Sequence, residues 1–209
     1  MGEYFVPYEA SETEFTEKRS RFIGHVRRVE SEAEARAFID EMRKKYYDAR
    51  HNCWCYVLHE GNVLRYGDDG EPQGTAGQPM LNVFEREGVE NVVCVVTRYF
   101  GGILLGAGGL TRAYAKSAKD ALDAAGKSKM SLWALRAVDC PYPMLERLKL
   151  LIAAQDGIVT DTEFSAAVRV HFRLPEGKVS SFDAALTELS AGSMAAEELG
   201  EEFLPGLRE

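Results

Sequence analysis

Residues 98–114 read RYFGGILLGAGGLTRAY. An apolar run at residues 92–96 precedes this segment, and its second half has the residue spacing of a helix. A strand, a glycine-rich loop and the start of a helix form the arrangement in which backbone N–H groups converge on an anion. We therefore expect an anion-binding loop, because glycine has no Cβ to block a ligand. Its glycines are Gly101, Gly102, Gly106, Gly108 and Gly109. The alternative is that they form a tight turn and let the helix pack closely.

Positive charge is concentrated beside this loop. Arg112, Lys116 and Lys119 share one face of the predicted helix, and Arg98 precedes the loop. No Asp or Glu occurs between residues 91 and 119, although the whole chain has a formal charge of -8. We expect these four cations to contact phosphate groups, which would position a partner without reading its sequence. Neither the P-loop pattern nor the G-x-G-x-x-G dinucleotide fingerprint is matched, so both nucleotide-binding motifs are excluded.

The composition predicts a cytoplasmic protein that does not contact a membrane. The 209 residues suit one large or two small domains, and 45% of them are hydrophobic. No stretch is long and apolar enough to span a bilayer, and the first residues do not have the pattern of a signal peptide. The four cysteines lack paired metal spacing, which predicts reduced core thiols. We expect no cofactor and no metal.

Charge is divided unevenly along the chain. From residue 135 onward there are 7 Lys and Arg against 13 Asp and Glu, a net of -6. The preceding residues carry a net of -2, and their cations cluster at 17–28 and 43–50. The first part is therefore able to present a basic surface, whereas the second part is expected to be repelled by nucleic acid.

The order of predicted elements indicates an α+β protein with two domains. Residues 1–130 read as β-α-β-β-α-β-α, with residues 126–131 as a linker. Residues 135–209 read as β-α-β-β-α-β, which is the order of a ferredoxin-like unit.

Other polar and aromatic residues offer weaker candidate sites. His51, Cys53 and Cys55 alternate on a predicted strand, so their side chains share one face. A zinc site there would need a fourth ligand. A cysteine nucleophile with His51 as its base is also disfavoured, because residues two apart on a strand are about 6–7 Å apart. Asp68, Asp69 and Glu71 lie in a segment with the composition of a turn. If their loop lies near the glycine loop, these residues could act as the acid and base of an enzyme. A final set of aromatic residues would either pack in the core or stack on bases; it comprises Tyr99, Phe100 and Tyr114.

The chain resembles the YigZ/IMPACT family in four segments. They read EKRSRFIG (17–24), ARHNCWCYV (49–57), DDGEPQGTAGQPML (68–81) and RYFGGILLGAGGLTRAY (98–114). The region after residue 135 is similar to the small C-terminal domain of bacterial members. The resemblance implies that the first domain has the βαβ-type fold shared by a ribosomal protein and a domain of elongation factor G. It also implies a link to translation regulation, without established catalytic residues.

We expect a translation-associated regulatory protein whose first domain binds RNA or the ribosome through the glycine loop and basic helix face. The acidic second domain would contact a protein or shape the groove between the domains. One alternative is an enzyme acting on a small phosphorylated or carboxylated substrate, with His51 nearby and an acid or base from Asp68, Asp69 or Glu71. Another is a protein-interaction module that binds no anion. Steep weakening of binding by salt would favour the RNA hypothesis.

Overall fold

The computed structural model describes residues 4–208. The strands are β1 (Phe5–Pro7), β2 (Ser11–Glu17), β3 (Ser20–Arg28), β4 (His51–Leu58), β5 (Val63–Gly67), β6 (Val92–Tyr99), β7 (Lys127–Cys140), β8 (Ile158–Phe164), β9 (Val168–Pro175) and β10 (Glu197–Arg208). The helices are α1 (Glu32–Lys45), α2 (Gly77–Glu87), α3 (Ala107–Ala125), α4 (Leu145–Ala154) and α5 (Val179–Ser190). These elements form two compact units, one containing residues 4–130 and 205–208 and the other containing residues 131–204.

The first unit is built on an antiparallel sheet in the order β2-β3-β6-β4-β5. Strand β6 lies at its centre, and the uninterrupted apolar run at 92–96 reflects burial on both faces. Val93 and Val95 pack in the cluster that includes Phe38 of α1. Cys94 and Val96 pack with α2 and α3 on the opposite face. The sheet is thus covered by helices on both sides, which fixes the end of β6 and the start of α3 in place.

The second unit has the predicted ferredoxin-like arrangement. Its strands occur in the order β10-β7-β9-β8, so the first and third strands of the unit are central. Alternate residues of β9 face a core with Leu148 of α4 and Phe182 of α5. The α+β fold class predicted from the sequence is confirmed.

Two strands were not predicted, and the expected linker is different. β1 is only three residues long, and β2 (SETEFTE) is a polar strand that pairs along its whole length with β3. Residues 127–131, expected to be a linker, form the beginning of β7, and Lys127–Lys129 pair with β1. The cause is the composition: Lys and Ser alternate here and Ser128 occupies a buried position, so the hydrophobic periodicity of the strand is weak.

The end of β10 returns to the first unit. The Arg208 guanidinium donates to the Glu9 carboxylate at 3.1 Å and to the Ala124 carbonyl at 3.0 Å. The Ser128 hydroxyl donates to the Gly206 carbonyl at 2.8 Å. Residues 205–208 therefore complete the packing of the unit in which the chain begins.

Candidate functional site

A cavity of about 340 Å³ opens beside the glycine loop of the first unit. Three segments line it: residues 50–51 at the start of β4, residues 71–72 in the loop before α2, and parts of 98–110, which run from the end of β6 to the first turn of α3. The loop that contains Glu71 and the glycine loop thus meet at one site, although α2 and β6 separate them in the sequence. This is the condition under which the acidic loop was expected to form a site.

A buried ion pair forms the floor of the cavity. Arg98 Nη1 donates to Glu71 Oε1 at 2.6 Å, and these side chains are only 5% and 4% exposed. The Tyr114 hydroxyl donates to the same oxygen at 2.8 Å, and Arg98 Nη2 donates to Ser20 Oγ at 3.2 Å. Burial, with Cys53 and Glu71 adding to it, raises the pKa of Tyr114, so its hydroxyl remains a donor.

This pair gives Arg98 a partner that the sequence did not predict. The guanidinium lines the cavity, but it is already bonded to a carboxylate and would have to share or lose that bond to contact a phosphate. Hydrophobic periodicity did not reveal the pair, because it does not show which buried polar side chain has a partner. The Glu71 carboxylate comes from a loop 27 positions away.

A hydrogen bond orients the ring of His51. Nδ1 lies 2.8 Å from the carbonyl oxygen of Asp69, which is able only to accept, so Nδ1 carries a proton. His51 lines the cavity, and its Nε2 lies 3.7 Å from Glu71 Oε1. The ring therefore presents Nε2 beside the Glu71 carboxylate.

Asp68 and Asp69 hold the loop rather than line the cavity. The Asp68 carboxylate accepts from the backbone N–H groups of Gly74, Ala76 and Gly77 at 2.8–3.1 Å, which caps the start of α2. The Asp69 carboxylate accepts from the N–H of Asn52 at 2.6 Å. Of the three acids predicted as a possible pocket, Glu71 is the one that faces the cavity.

The fold itself requires most of the glycines. Gly106 precedes α3 with φ of 73°, a conformation that L side chains rarely adopt. A Cβ on Gly101 would lie 2.0 Å from the backbone of Arg19, and one on Gly109 would lie 2.9 Å from a side-chain atom. Gly102 also has a positive φ, of 83°. Gly108 differs, since a Cβ there would meet its nearest atom, Arg112 Nη1, only at 3.4 Å.

The predicted basic helix face is partly neutralised. Lys116 pairs with Asp120, and Lys119 pairs with Asp123 at 2.5 Å and with Glu87 at 3.5 Å. Both acids that follow at i+4 lie just outside the acid-free stretch noted in the sequence. Arg112 is exposed and makes no ion pair with any residue in 4–208.

Three further cations near the glycine loop were not selected from the sequence. Lys18 and Arg19 form the two-residue turn between β2 and β3, both with positive φ, and this turn packs against Gly101. Arg50 lines the cavity. Within the described residues these three side chains, like Arg112, have no carboxylate partner. In the sequence these residues belong to the two basic clusters at 17–28 and 43–50, which could have indicated them.

The remaining candidates have mainly structural roles. Phe100 is 46% exposed and lines the cavity, whereas Tyr114 is buried and the Tyr99 hydroxyl donates to Asp48. Cys53 and Cys55 are buried in the core, and burial raises the pKa of both thiols. Within residues 4–208, no three His, Cys, Asp or Glu side chains are grouped closely enough to hold a metal ion. No helix in the same range is long and apolar enough to cross a membrane.

Fold and site together define a two-unit α+β protein with a cleft between a glycine loop and an acidic loop. A family model described as the Impact N-terminal domain matches residues 18–122, and one described as a domain of unknown function (DUF1949) matches residues 138–193. The chain belongs to the IMPACT family, as its sequence resemblance predicted.

Individual relatives agree over most of the chain. IMPACT family member YvyE of Bacillus subtilis is 37% identical over 95% of this chain and 92% of its own length. IMPACT family member YigZ of Escherichia coli is 36% identical over 85% of this chain and 88% of its own length. A crystal structure described as a hypothetical protein covers 96% of this chain and 98% of its own, with a TM-score of 0.60 and 33% identity.

Proposed function

We propose that the first unit binds a phosphate-bearing partner, RNA in a ribosomal setting, and that the protein acts in translation regulation. The supporting observation is a set of exposed cations without carboxylate partners around the glycine loop. We call this set, Lys18, Arg19, Arg50 and Arg112, the basic rim. The cytoplasm is the compartment in which such a partner would be met.

The basic rim draws cations from three separate segments to one place. The β2–β3 turn carries Lys18 and Arg19 against Gly101. A second hollow, of about 160 Å³, is lined by Lys18, Arg112 and Lys116. Arg50 lies on the wall of the larger cavity. Several cations from separate segments suit the repeated phosphates of a nucleic acid better than a single small anion.

Free cations are better phosphate ligands than paired ones. A Lys or Arg already bonded to a carboxylate must lose that partner before it neutralises a phosphate, which reduces the net gain. The basic rim has no such cost, whereas Lys119 does. The acidic second unit is not expected to contact phosphate, and a protein partner remains the proposal for its surface.

The test compares two triple variants that remove the same charge. Lys18→Ala/Arg50→Ala/Arg112→Ala removes most of the basic rim. The matched control is Arg27→Ala/Arg36→Ala/Arg65→Ala, since these arginines are bonded to Glu41, to Glu32 and to the Leu64 carbonyl. Binding to single-stranded RNA and to ribosomes is measured across a salt titration for each variant and for the natural chain.

We expect the basic-rim variant to lose affinity and to flatten the salt dependence. Three lost phosphate contacts would reduce the slope of log K against log salt by about 2, at about 0.7 per contact for single strands. The control should keep the natural slope. Equal loss in both variants, or no RNA or ribosome binding by the natural chain, would show that the basic rim is only a solvated surface.

A further inference from the structure

We propose that the 340 Å³ cavity beside the glycine loop binds one nucleoside monophosphate unit, either free or at the end of an RNA chain. The inference deepens the proposed function and rests on it only where the unit belongs to RNA. It is carried by the polarity of the cavity, which has acceptors at its floor, donors at one side and an apolar wall.

The floor of the cavity offers a hydrogen-bond acceptor and therefore favours a ligand that donates hydrogen bonds. Glu71 Oε1 already accepts from Arg98 and Tyr114, but Oε2 accepts from no residue within 4–208. The Glu71 side chain is 4% exposed and lines the cavity, so an unused oxygen of a buried carboxylate is left for a ligand. His51 Nε2 lies beside this carboxylate, 3.7 Å from Oε1. Ribose hydroxyls and the amino groups of bases are donors of the required kind.

The side formed by α3 requires an anion. Gly106 and Ala107 line the cavity, and the first backbone bond of α3 runs from Leu110 N–H to the Gly106 carbonyl at 2.9 Å. The preceding N–H groups of the first turn are therefore without intrahelical partners, and the helix dipole adds positive potential. Arg50 also lines the cavity and contributes a full charge. One phosphate suits these donors, whereas the P-loop that holds a triphosphate does not occur.

Gly108 follows the two residues of this helix start that line the cavity. It is exposed, and the fold leaves room there for a methyl group. The packing of the protein therefore does not require a glycine at this position. A residue without a side chain at the second position of the helix would let an anion approach the N–H groups closely.

The apolar wall of the cavity favours a ligand that is larger than a phosphate ion and has an apolar surface. Phe100 and Leu104 are 46% and 82% exposed at the cavity, and Pro72, Leu105 and Leu110 complete the wall. A cavity of this volume is within the usual range of about 300–1,000 Å³ for small-molecule sites. A flat base would cover the Phe100 ring, while inorganic phosphate would leave the whole wall exposed to water.

The experiment measures binding of free probes by calorimetry with the full chain. The probes are AMP, CMP, GMP and UMP, the four matching nucleosides, and inorganic phosphate. We expect at least one monophosphate to bind about tenfold or more tightly than its nucleoside and than phosphate. Phe100→Ala should weaken that binding about tenfold by removing the stacking surface, and His51→Ala should weaken it to a similar extent.

Two controls separate binding from folding. Phe164→Ala removes a phenylalanine of the second unit that is 65% exposed, against 46% for Phe100, and should leave the affinity unchanged. Thermal unfolding of each variant shows whether the first unit is intact, and Phe100 is exposed enough for its loss to be tolerated. Unchanged affinity in folded Phe100→Ala and His51→Ala, or failure of all four monophosphates at millimolar concentration, would overturn the inference.

The result also distinguishes the two proposals. Salt-dependent RNA binding without monophosphate binding overturns the cavity inference and leaves the proposed function standing. Monophosphate binding without RNA binding does the reverse. Competition of RNA oligonucleotides with the free monophosphate identifies the source of the bound unit. If only the oligonucleotide with a 5′-phosphate competes, and the one with a 5′-hydroxyl does not, the ligand is the end of an RNA chain. If neither competes, the ligand is a free nucleotide.

Discussion

Replacing Glu71 with Gln removes the carboxylate that neutralises Arg98 in the floor of the cavity. The guanidinium stays buried, and its Nε has no hydrogen-bond partner among residues 4–208. At 2.6 Å the pair attraction is about 6 kcal/mol for an effective dielectric constant of about 20, before desolvation is considered. Breaking a buried pair from one side typically costs about 3–5 kcal/mol, and we expect that loss for Glu71→Gln and for Arg98→Met.

The double variant Arg98→Met/Glu71→Gln should cost no more than either single change. Neither buried charge then remains, and the amide oxygen introduced in place of the carboxylate still accepts from the Tyr114 hydroxyl. The coupling free energy is therefore expected to be about 3 kcal/mol or more. The matched control is the exposed pair of Arg27 and Glu41, for which the same cycle should show little coupling.

Urea unfolding measures these differences. The chain has two tryptophans, Trp54 in the first unit and Trp133 in the second, so a Trp133→Phe background lets Trp54 fluorescence report on the unit that contains the cavity. Additive effects of the two single changes, or a coupling no larger than that of the control pair, would refute the claim that this ion pair stabilises the floor.

Three further predictions test the structure of the first unit. The buried His25 has its pKa lowered by desolvation from 6.5 to about 4, so stability should fall by up to about 3 kcal/mol as the pH drops from 6.5 to 4, and His25→Gln should flatten this part of a urea-midpoint profile; an unchanged profile would contradict it. Gly101→Ala should destabilise by about 1–3 kcal/mol through its contact with Arg19, whereas Gly108→Ala should leave thermal stability unchanged or raise it by up to about 1 kcal/mol; equal losses would argue against the loop geometry. Asp68→Ala should cost about 2 kcal/mol by removing the cap of α2, and a neutral result in chemical unfolding would oppose that role.

The sequence predicted best those parts of the fold in which one pattern dominates. The run at 92–96 predicted a central strand because both faces of β6 are covered. The stripe containing Leu110 and Tyr114 predicted α3, and both residues face the core. Strand β2 escaped prediction because its alternation of Ser, Thr and Phe with Glu is too polar to distinguish from a loop. Pairing with β3, not hydrophobicity, determines its conformation.

The sequence raised the proximity of the two loops as a condition for a site, but it did not predict which charged groups are paired there. Residue types indicated an anion loop and an acidic loop, and the structure brings the two together. Which charge belongs to which partner depends on tertiary contacts, so the sequence alone assigned Arg98 to phosphate rather than to Glu71. The basic rim was missed for a related reason: the turn at Lys18 and Arg19 approaches Gly101 only after β2 pairs with β3.

The return of residues 205–208 makes the second unit an insertion in the first. A truncated chain ending at residue 130 would lose the guanidinium that bonds Glu9 and Ala124, and would leave Ser128 without its carbonyl acceptor. Such a fragment would be an incomplete version of the cavity-bearing unit. A better isolated unit would be made by deleting residues 131–204 and joining the two cut ends with a short linker. In the intact chain, the inserted unit is joined to the first through two covalent connections instead of one, so a force on the inserted unit would reach the first at both.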